Sequence, residues 1–203
     1  MGFTVWFTGL SGAGKTTLSQ AVYYEIRRRG LKAELLDGDI IRSIFSQELS
    51  FSKHDRDINV RRIGFVSHLL NKNGVNCVVA AIAPYADTRD QNRRLIDKYI
   101  EVFCDSSLDV VIKRDVKGLY KKALAGQIEH FTGVSDPYEL PKAPEMHLHT
   151  DGETVEESYS AIIRWLEEHE HIPMSGVCTP SPFTAADEER WRERLSQLGY
   201  SAR

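Results

Sequence analysis

Phe3-Thr4-Val5-Trp6-Phe7-Thr8 runs directly into Gly9-Leu10-Ser11-Gly12-Ala13-Gly14-Lys15-Thr16, and this stretch decides the fold. The first six residues are β-branched or aromatic, which suits a short buried strand. The next eight match G-x-x-x-x-G-K-[ST], a pattern expected by chance in about one chain in a hundred of this size. Beyond it, Leu18, Val22 and Ile26 recur every four residues and Gly30 supplies a stop, so Lys15 to Arg29 reads as a helix. Strand, glycine loop and helix are the context in which this loop binds phosphate. Its glycines let consecutive N–H groups converge on phosphate oxygens, and the helix adds a partial positive charge. Gly9 to Thr17 therefore predicts a nucleoside triphosphate site, with Lys15 on the β- and γ-phosphates and the Thr16 hydroxyl on Mg²⁺.

Further along, strands and helices alternate. Ala33–Asp37 reads as a strand, His54–Asn73 as a helix closed by Gly74, and Val75–Ala83 as the most apolar strand. A polar helix from about Asp87, a strand at Ile100–Cys104, a late strand near Met146–Thr150 and a helix over Glu153–Glu170 follow. This pattern predicts an α/β fold: a P-loop kinase-type three-layer sandwich around a mostly parallel sheet. Residues 115–145 interrupt it with glycines, prolines and charges, and read as a mobile lid or surface excursion. The expected domain covers 1–171. Residues 172–203 read as a Pro-containing linker and a C-terminal helix, in which Thr184-x-x-Asp187 resembles a capping box and Trp191, Leu195 and Leu198 share a face.

Composition narrows the function classes. The 203 residues carry 26 Lys and Arg against 29 Asp and Glu, a net charge of -3, so no global nucleic-acid footprint exists. No apolar run approaches the roughly 20 residues of a membrane helix. Cys77, Cys104 and Cys178 form no Cys-x-x-Cys pair and fit reduced thiols. A cytoplasmic location is the expectation, without membrane or nucleic-acid partners.

The phosphate loop alone fits an ATPase, a GTPase, a small-molecule kinase or a nucleic-acid kinase. No acidic residue ends Val78–Ile82, where a motor-type ATPase keeps its metal-supporting Asp. Asp37-Gly38-Asp39 offers two carboxylates instead: one to support Mg²⁺ or its waters, the other to accept a proton from an attacking hydroxyl. An acidic turn capping a helix is the alternative. Asn71-Lys72-Asn73-Gly74 lacks the acidic residue that would recognise guanine. His147-x-His149 places two imidazoles on one face of a strand, but no third ligand is evident in the sequence, and it is not assigned a metal.

Ordered motifs extend the reading: GLSGAGKTT at 9–17, LDGD at 36–39 followed by Arg42, FSKHDRDINVRRIG at 51–64, IAPY at 82–85, DVKGLYKKALAG at 115–126 and FTGVSDPYE at 131–139. Over residues 3 to about 170 the chain resembles the adenylyl-sulfate kinases. That resemblance implies transfer of the ATP γ-phosphate to the 3′-hydroxyl of adenosine 5′-phosphosulfate (APS), yielding the activated sulfate donor PAPS. It implies that Phe51 and Phe131 sandwich the acceptor's adenine, and that Arg42 and Arg56 hold the phosphosulfate with a hydrogen bond from Asn59. Ile82 and its neighbour Ala83 would contact the acceptor from a strand end, Lys117 from the lid, and Arg114 would lie beside the ATP base. Asp39 becomes the candidate base, with Asp37 and Thr16 supporting Mg²⁺. Family members are commonly dimers, so a homodimer is implied, and a functional link to ATP sulfurylase is open.

Two departures stand out. Many members carry a serine where Ala83 stands, and a phosphoenzyme has been ascribed to it; alanine has no hydroxyl, so transfer here would be direct or use another nucleophile. Val116 replaces a common proline. Two other functions remain open: a P-loop kinase for another nucleotide-like acceptor, and a nucleotide-binding regulatory subunit of a sulfate-activating complex. The presence of Lys15, Thr16 and Asp39 argues against the second.

Overall fold

The structure, a computed structural model, describes residues 1–174. The expected tail helix, with Trp191, Leu195 and Leu198, lies outside the described residues. Strand β1 (Thr4–Thr8) is fully buried and feeds the glycine loop, after which helix α1 (Lys15–Arg28) begins. β2 (Ala33–Asp37) leads into α2 (Gly38–Phe45), and α3 (Lys53–Lys72) into β3 (Asn76–Ala80). α4 (Ala86–Leu95), β4 (Tyr99–Asp105), α5 (Leu108–Arg114), α6 (Leu119–Leu124), β5 (Met146–His149) and α7 (Val155–Glu168) complete the order.

The five strands pair in parallel in the order β2-β3-β1-β4-β5. β1 is central, and the chain turns to opposite sides of it. The glycine loop therefore opens at the topological switch point, where open parallel sheets bind ligands. Alternate residues of β1 enter different cores, as period-two geometry requires. Val5 and Phe7 pack with Leu18, Val22, Ile26, Ile162 and Leu166 of α1 and α7; Trp6 packs with Val60, Ile63 and Val79 on the other face. α3 and α4 approach closely at Gly64, where a Cβ would stand 2.1 Å from Asn92 Oδ1.

Local chemistry sets the helix starts. The Ser52 side chain caps α3 by accepting from Asp55 N, and Thr154 with Glu157 forms a reciprocal capping box on α7.

Three sequence expectations are corrected. The strand expected over Val75–Ala83 ends at Ala80, so Ile82 and Ala83 lie beyond the sheet; Ala83 adopts φ 45°, which strand geometry cannot accommodate. Helix α5, absent from the sequence reading, has too short an apolar period to announce itself. Residues 115–145 are not a mere excursion: they contain α6, and Tyr120, Ala123 and Phe131 are buried in the main core.

Candidate functional site

The site is built from the strand ends upward. Gly9 holds φ 137°, and a Cβ there would lie 2.3 Å from the Cys104 carbonyl oxygen, so the chain leaves β1 only with glycine at this position. Gly14 takes the left-handed conformation immediately before α1. Lys15 is 8% exposed and its Nζ donates to Leu10 O at 2.6 Å, folding the side chain back over its own loop. Burial pulls its pKa down to about 8, against the opposing pull of Asp39 and Asp37. A buried ammonium of this kind is primed for an incoming polyanion.

Asp37 serves two neighbours at once. Its Oδ1 accepts from Asp39 N at 2.8 Å and Ile40 N at 3.3 Å, capping α2, while Oδ2 stands 3.5 Å from Thr16 Oγ1. The capping alternative for the Asp37–Asp39 turn is what the structure shows, and the cap orients the Asp37 carboxylate toward the loop. The hydroxyl and carboxylate form a hard oxygen pair of the kind Mg²⁺ prefers. Asp39 is exposed and meets Lys117 Nζ at 2.6 Å, a contact from the segment after α5 that raises the Lys117 pKa.

A cavity of about 610 Å³ opens between the loop, the start of α2, the end of β3 and the 115–132 segment. Ser11, Gly12, Gly14, Lys15, Thr16 and Thr17 line one side, with Asp37 and Asp39 below them. Opposite stand Arg42, Phe51, Arg56, Asn59 and Phe131, with Ile82, Ala83 and Lys117 closing the wall. The half-exposed Phe51 ring is flanked by both guanidiniums, with Arg42 Cζ 4.7 Å and Arg56 Cζ 5.3 Å from its centroid. Burial lowers both arginine pKa values, and the Arg42 charge further lowers that of Arg56. An anion between them would relieve both costs. Arg56 is anchored by Phe51 O at 2.9 Å and His130 O at 2.6 Å. Phe131 is buried and meets Tyr120 edge-on at 4.9 Å. Asn59 Oδ1 is buried and accepts no hydrogen bond, an acceptor left over in the cavity wall.

Not every predicted residue reaches this space. Gly9, Leu10 and Ala13 stand behind the lining and shape the loop, and Arg114 lies outside it, with its Nη2 on Thr150 O at 2.8 Å. Sequence reasoning also missed several supports. Tyr120 donates from its hydroxyl to Ser11 O at 2.9 Å, tying α6 to the phosphate loop. Asp115 accepts from Tyr120 N and Lys121 N and so starts α6; an Asp ahead of a helical run is the one signal that could have shown it. Arg89 is buried and holds Ala83 O at 2.7 Å and Glu139 O at 2.6 Å. Tyr138 and Ile82 share the Thr8 hydroxyl. Nothing in the local sequence marks Arg89 or Tyr138, because Glu139 O lies 50 residues from Arg89 and Thr8 lies 130 residues from Tyr138.

Residues 1–149 match the family model described as adenylylsulphate kinase. The chain belongs to the adenylylsulphate kinase family. It is 54% identical over 167 residues to the adenylyl-sulfate kinase of Rippkaea orientalis, covering 82% of this chain and 92% of that protein. A probable bifunctional SAT/APS kinase 2 of Sorangium cellulosum is 49% identical over 185 residues; the match takes in 91% of this chain but only 32% of that longer protein. Among solved structures, the Mycobacterium tuberculosis APS kinase in complex with AMPPNP and APS superposes with a TM-score of 0.78 at 42% identity, covering 82% of this chain and 98% of that one. As an adenylylsulphate kinase family member, the chain is a P-loop kinase, and the parallel sheet and loop follow that fold. Among the described residues, no helix is long and apolar enough to cross a membrane.

Proposed function

We propose that this kinase transfers the ATP γ-phosphate to the 3′-hydroxyl of adenosine 5′-phosphosulfate, making PAPS for sulfate activation. The observation that carries the proposal is the single cavity in which a phosphate loop faces an aromatic ring bracketed by two arginines. The acceptor combines a base with a doubly anionic phosphosulfate, so it needs both. ATP would lie on residues 9–17. Phe51 and Phe131 would hold the acceptor's adenine and Arg42 and Arg56 its phosphosulfate. Because the unused Asn59 atom is a carbonyl oxygen, which cannot bond an anion, it would accept from the base's amino group rather than add to the phosphosulfate. Ile82, Ala83 and Lys117 would close around it.

The oxygens of Thr16 and Asp37 fit Mg²⁺ brought in with the nucleotide. When bound, the ion neutralises charge on the β- and γ-phosphate oxygens. Lys15 exchanges Leu10 O for a phosphate oxygen, which secures the proton that burial makes easier to lose. Asp39 leaves Lys117, orients the acceptor hydroxyl and takes its proton as the phosphoryl group moves in line. Lys117, released from Asp39, is free to meet an anion. Segment 115–135 covers the reacting groups and excludes water.

Ala83 carries no nucleophile, and this reading takes the transfer to be direct rather than through another nucleophile. Residues 1–171 form the catalytic domain in this reading. It further takes the enzyme to be a cytoplasmic homodimer, with a functional link to ATP sulfurylase that the long Sorangium relative supports. The test is product analysis with γ-labelled ATP and APS. Label at the 3′-position and no acid- or base-trapped phosphoprotein is expected; label on the protein or at another position would overturn the proposal.

A further inference from the structure

His147 and His149 were left without a third ligand by their spacing alone; the fold supplies one. They project from the same face of edge strand β5, whose register pairs Asp105↔His149 across β4. Asp105 Oδ2 accepts from or receives contact with both rings, at 2.8 Å from His147 Nε2 and 3.9 Å from His149 Nδ1. The imidazole centroids lie 4.5 Å apart with the rings tilted by 36°, and one ligand atom from each of the three residues falls within 4.8 Å of the other two. Phe103 backs the His147 ring at 4.9 Å and limits its rotation.

We propose that Asp105, His147 and His149 form a binding site for one divalent transition-metal ion, of which Zn²⁺ is the representative. Two imidazoles and one carboxylate select this class over Mg²⁺ or Ca²⁺, which favour all-oxygen sets. Ligands about 2.0–2.2 Å from a tetrahedral ion stand roughly 3.3 Å apart, so the widest pair would close by about 1.5 Å and the Asp105–His147 pair would open by about half an ångström. Their side chains are 37–64% exposed and unconstrained enough to make that movement, and the fourth position opens to water. The surroundings favour a cation. Glu153 Oε1 accepts from His149 N at 2.9 Å, and Asp151, held by Ser107 N at 3.1 Å, lies beside His149.

The site is separate from the transfer cavity, whose lining contains none of the three ligands. Its role is structural. Thr150, next to His149, donates through N and Oγ1 to Asp105 O, and Arg114 holds Thr150 O, so an ion here would pin the end of β5 to that of β4.

Cobalt(II) is the direct probe, because a four- or five-coordinate nitrogen-containing site gives intense visible d–d bands that octahedral oxygen sites lack. Titrating the nucleotide-free full chain should give one saturating equivalent of such absorption, abolished by one equivalent of Zn²⁺ and untouched by excess Mg²⁺. His147→Gln and His149→Gln should each lower the affinity about tenfold or more, and Asp105→Asn similarly. All three are exposed changes whose folding can be verified by urea midpoint. A double His169→Gln/His171→Gln change, at the other closely spaced histidine pair, should leave the bands unaltered. Absence of saturable absorption, or bands that persist in the His147 and His149 variants, would overturn the proposal.

Discussion

Arg89 offers the most informative single perturbation of the site's scaffold. It is 3% exposed and reaches three groups: Ala83 O, Glu139 O and the Glu101 carboxylate, whose Oε1 lies 3.0 Å from Nε. That last contact is an ion pair off the hydrogen-bond line, so Glu101 Oε1 has charge compensation but no hydrogen bond. Arg89→Met keeps most of the volume and removes the charge. Glu101, itself 5% exposed, would then face Arg93 alone, at 3.3 Å. Breaking a buried pair from one side costs about 3–5 kcal/mol. The two carbonyls also lose their donor, but relief of the guanidinium's own desolvation offsets part of that loss. The net expectation stays at about 3–5 kcal/mol, or a fall of roughly 1–2 M in the urea midpoint.

The sign with pH is set by Glu101. Burial already raises its pKa, and the nearby arginines oppose that rise. Without Arg89 the folded value climbs further, so the folded state binds a proton that the unfolded chain releases. Stability of the variant therefore falls as pH rises through that window, and its deficit is smaller at pH 5 than at pH 8. Adding Glu101→Leu should recover a substantial part of the loss. A deficit under about 1 kcal/mol, or one equal at both pH values, would refute the buried-pair argument.

Four further outcomes test the catalytic reading. Lys15→Ala should lower kcat by about a hundredfold or more while the urea midpoint holds, as steady-state ADP release would show. Because the free Lys15 pKa is about 8 and phosphate favours its charged form, ATP affinity should weaken as pH rises above 8; calorimetry in two buffers should show proton uptake there, and Lys15→Arg should abolish it. Asp39→Asn should reduce turnover well beyond tenfold with little change in ATP affinity; a smaller loss would remove Asp39 as general base. Phe51→Ala should raise the KM for APS by roughly 5- to 150-fold, corresponding to about 1–3 kcal/mol of stacking, with stability almost unchanged because the ring is half exposed.

Local patterns carried most of the fold to the page. The β1–loop–α1 unit, the strand at Ala33–Asp37 and the capped α7 rest on contacts within a few residues, and such contacts leave a trace in sequence order. The end of β3 was misplaced because IAPY is apolar whether or not it stays in the sheet; the turn is set by Ala83 at φ 45° and by Arg89 on its carbonyl. The buried anchoring of 115–145 was hidden for a similar reason. Tyr120 and Phe131 look like ordinary aromatics among glycines and charges until Ser11 O and the main core are brought to them. Of the candidate site, the phosphate loop and Asp37–Asp39 were legible from chemistry and spacing. Phe51, Arg42, Arg56 and Phe131 became meaningful only through family resemblance, since the wall they share is made by segments some 80 residues apart. Asp105 completed the histidine pair only through strand register.

The central claim is acceptor identity, and ADP release tests it most directly. Purified chain with MgATP should be assayed alone, with APS, and beside a panel of nucleotide, sugar and sugar-acid acceptors. Strong stimulation by APS alone, with 3′-phosphorylated product, is the predicted result. ATP binding without APS stimulation, or faster release with another acceptor, would contradict it.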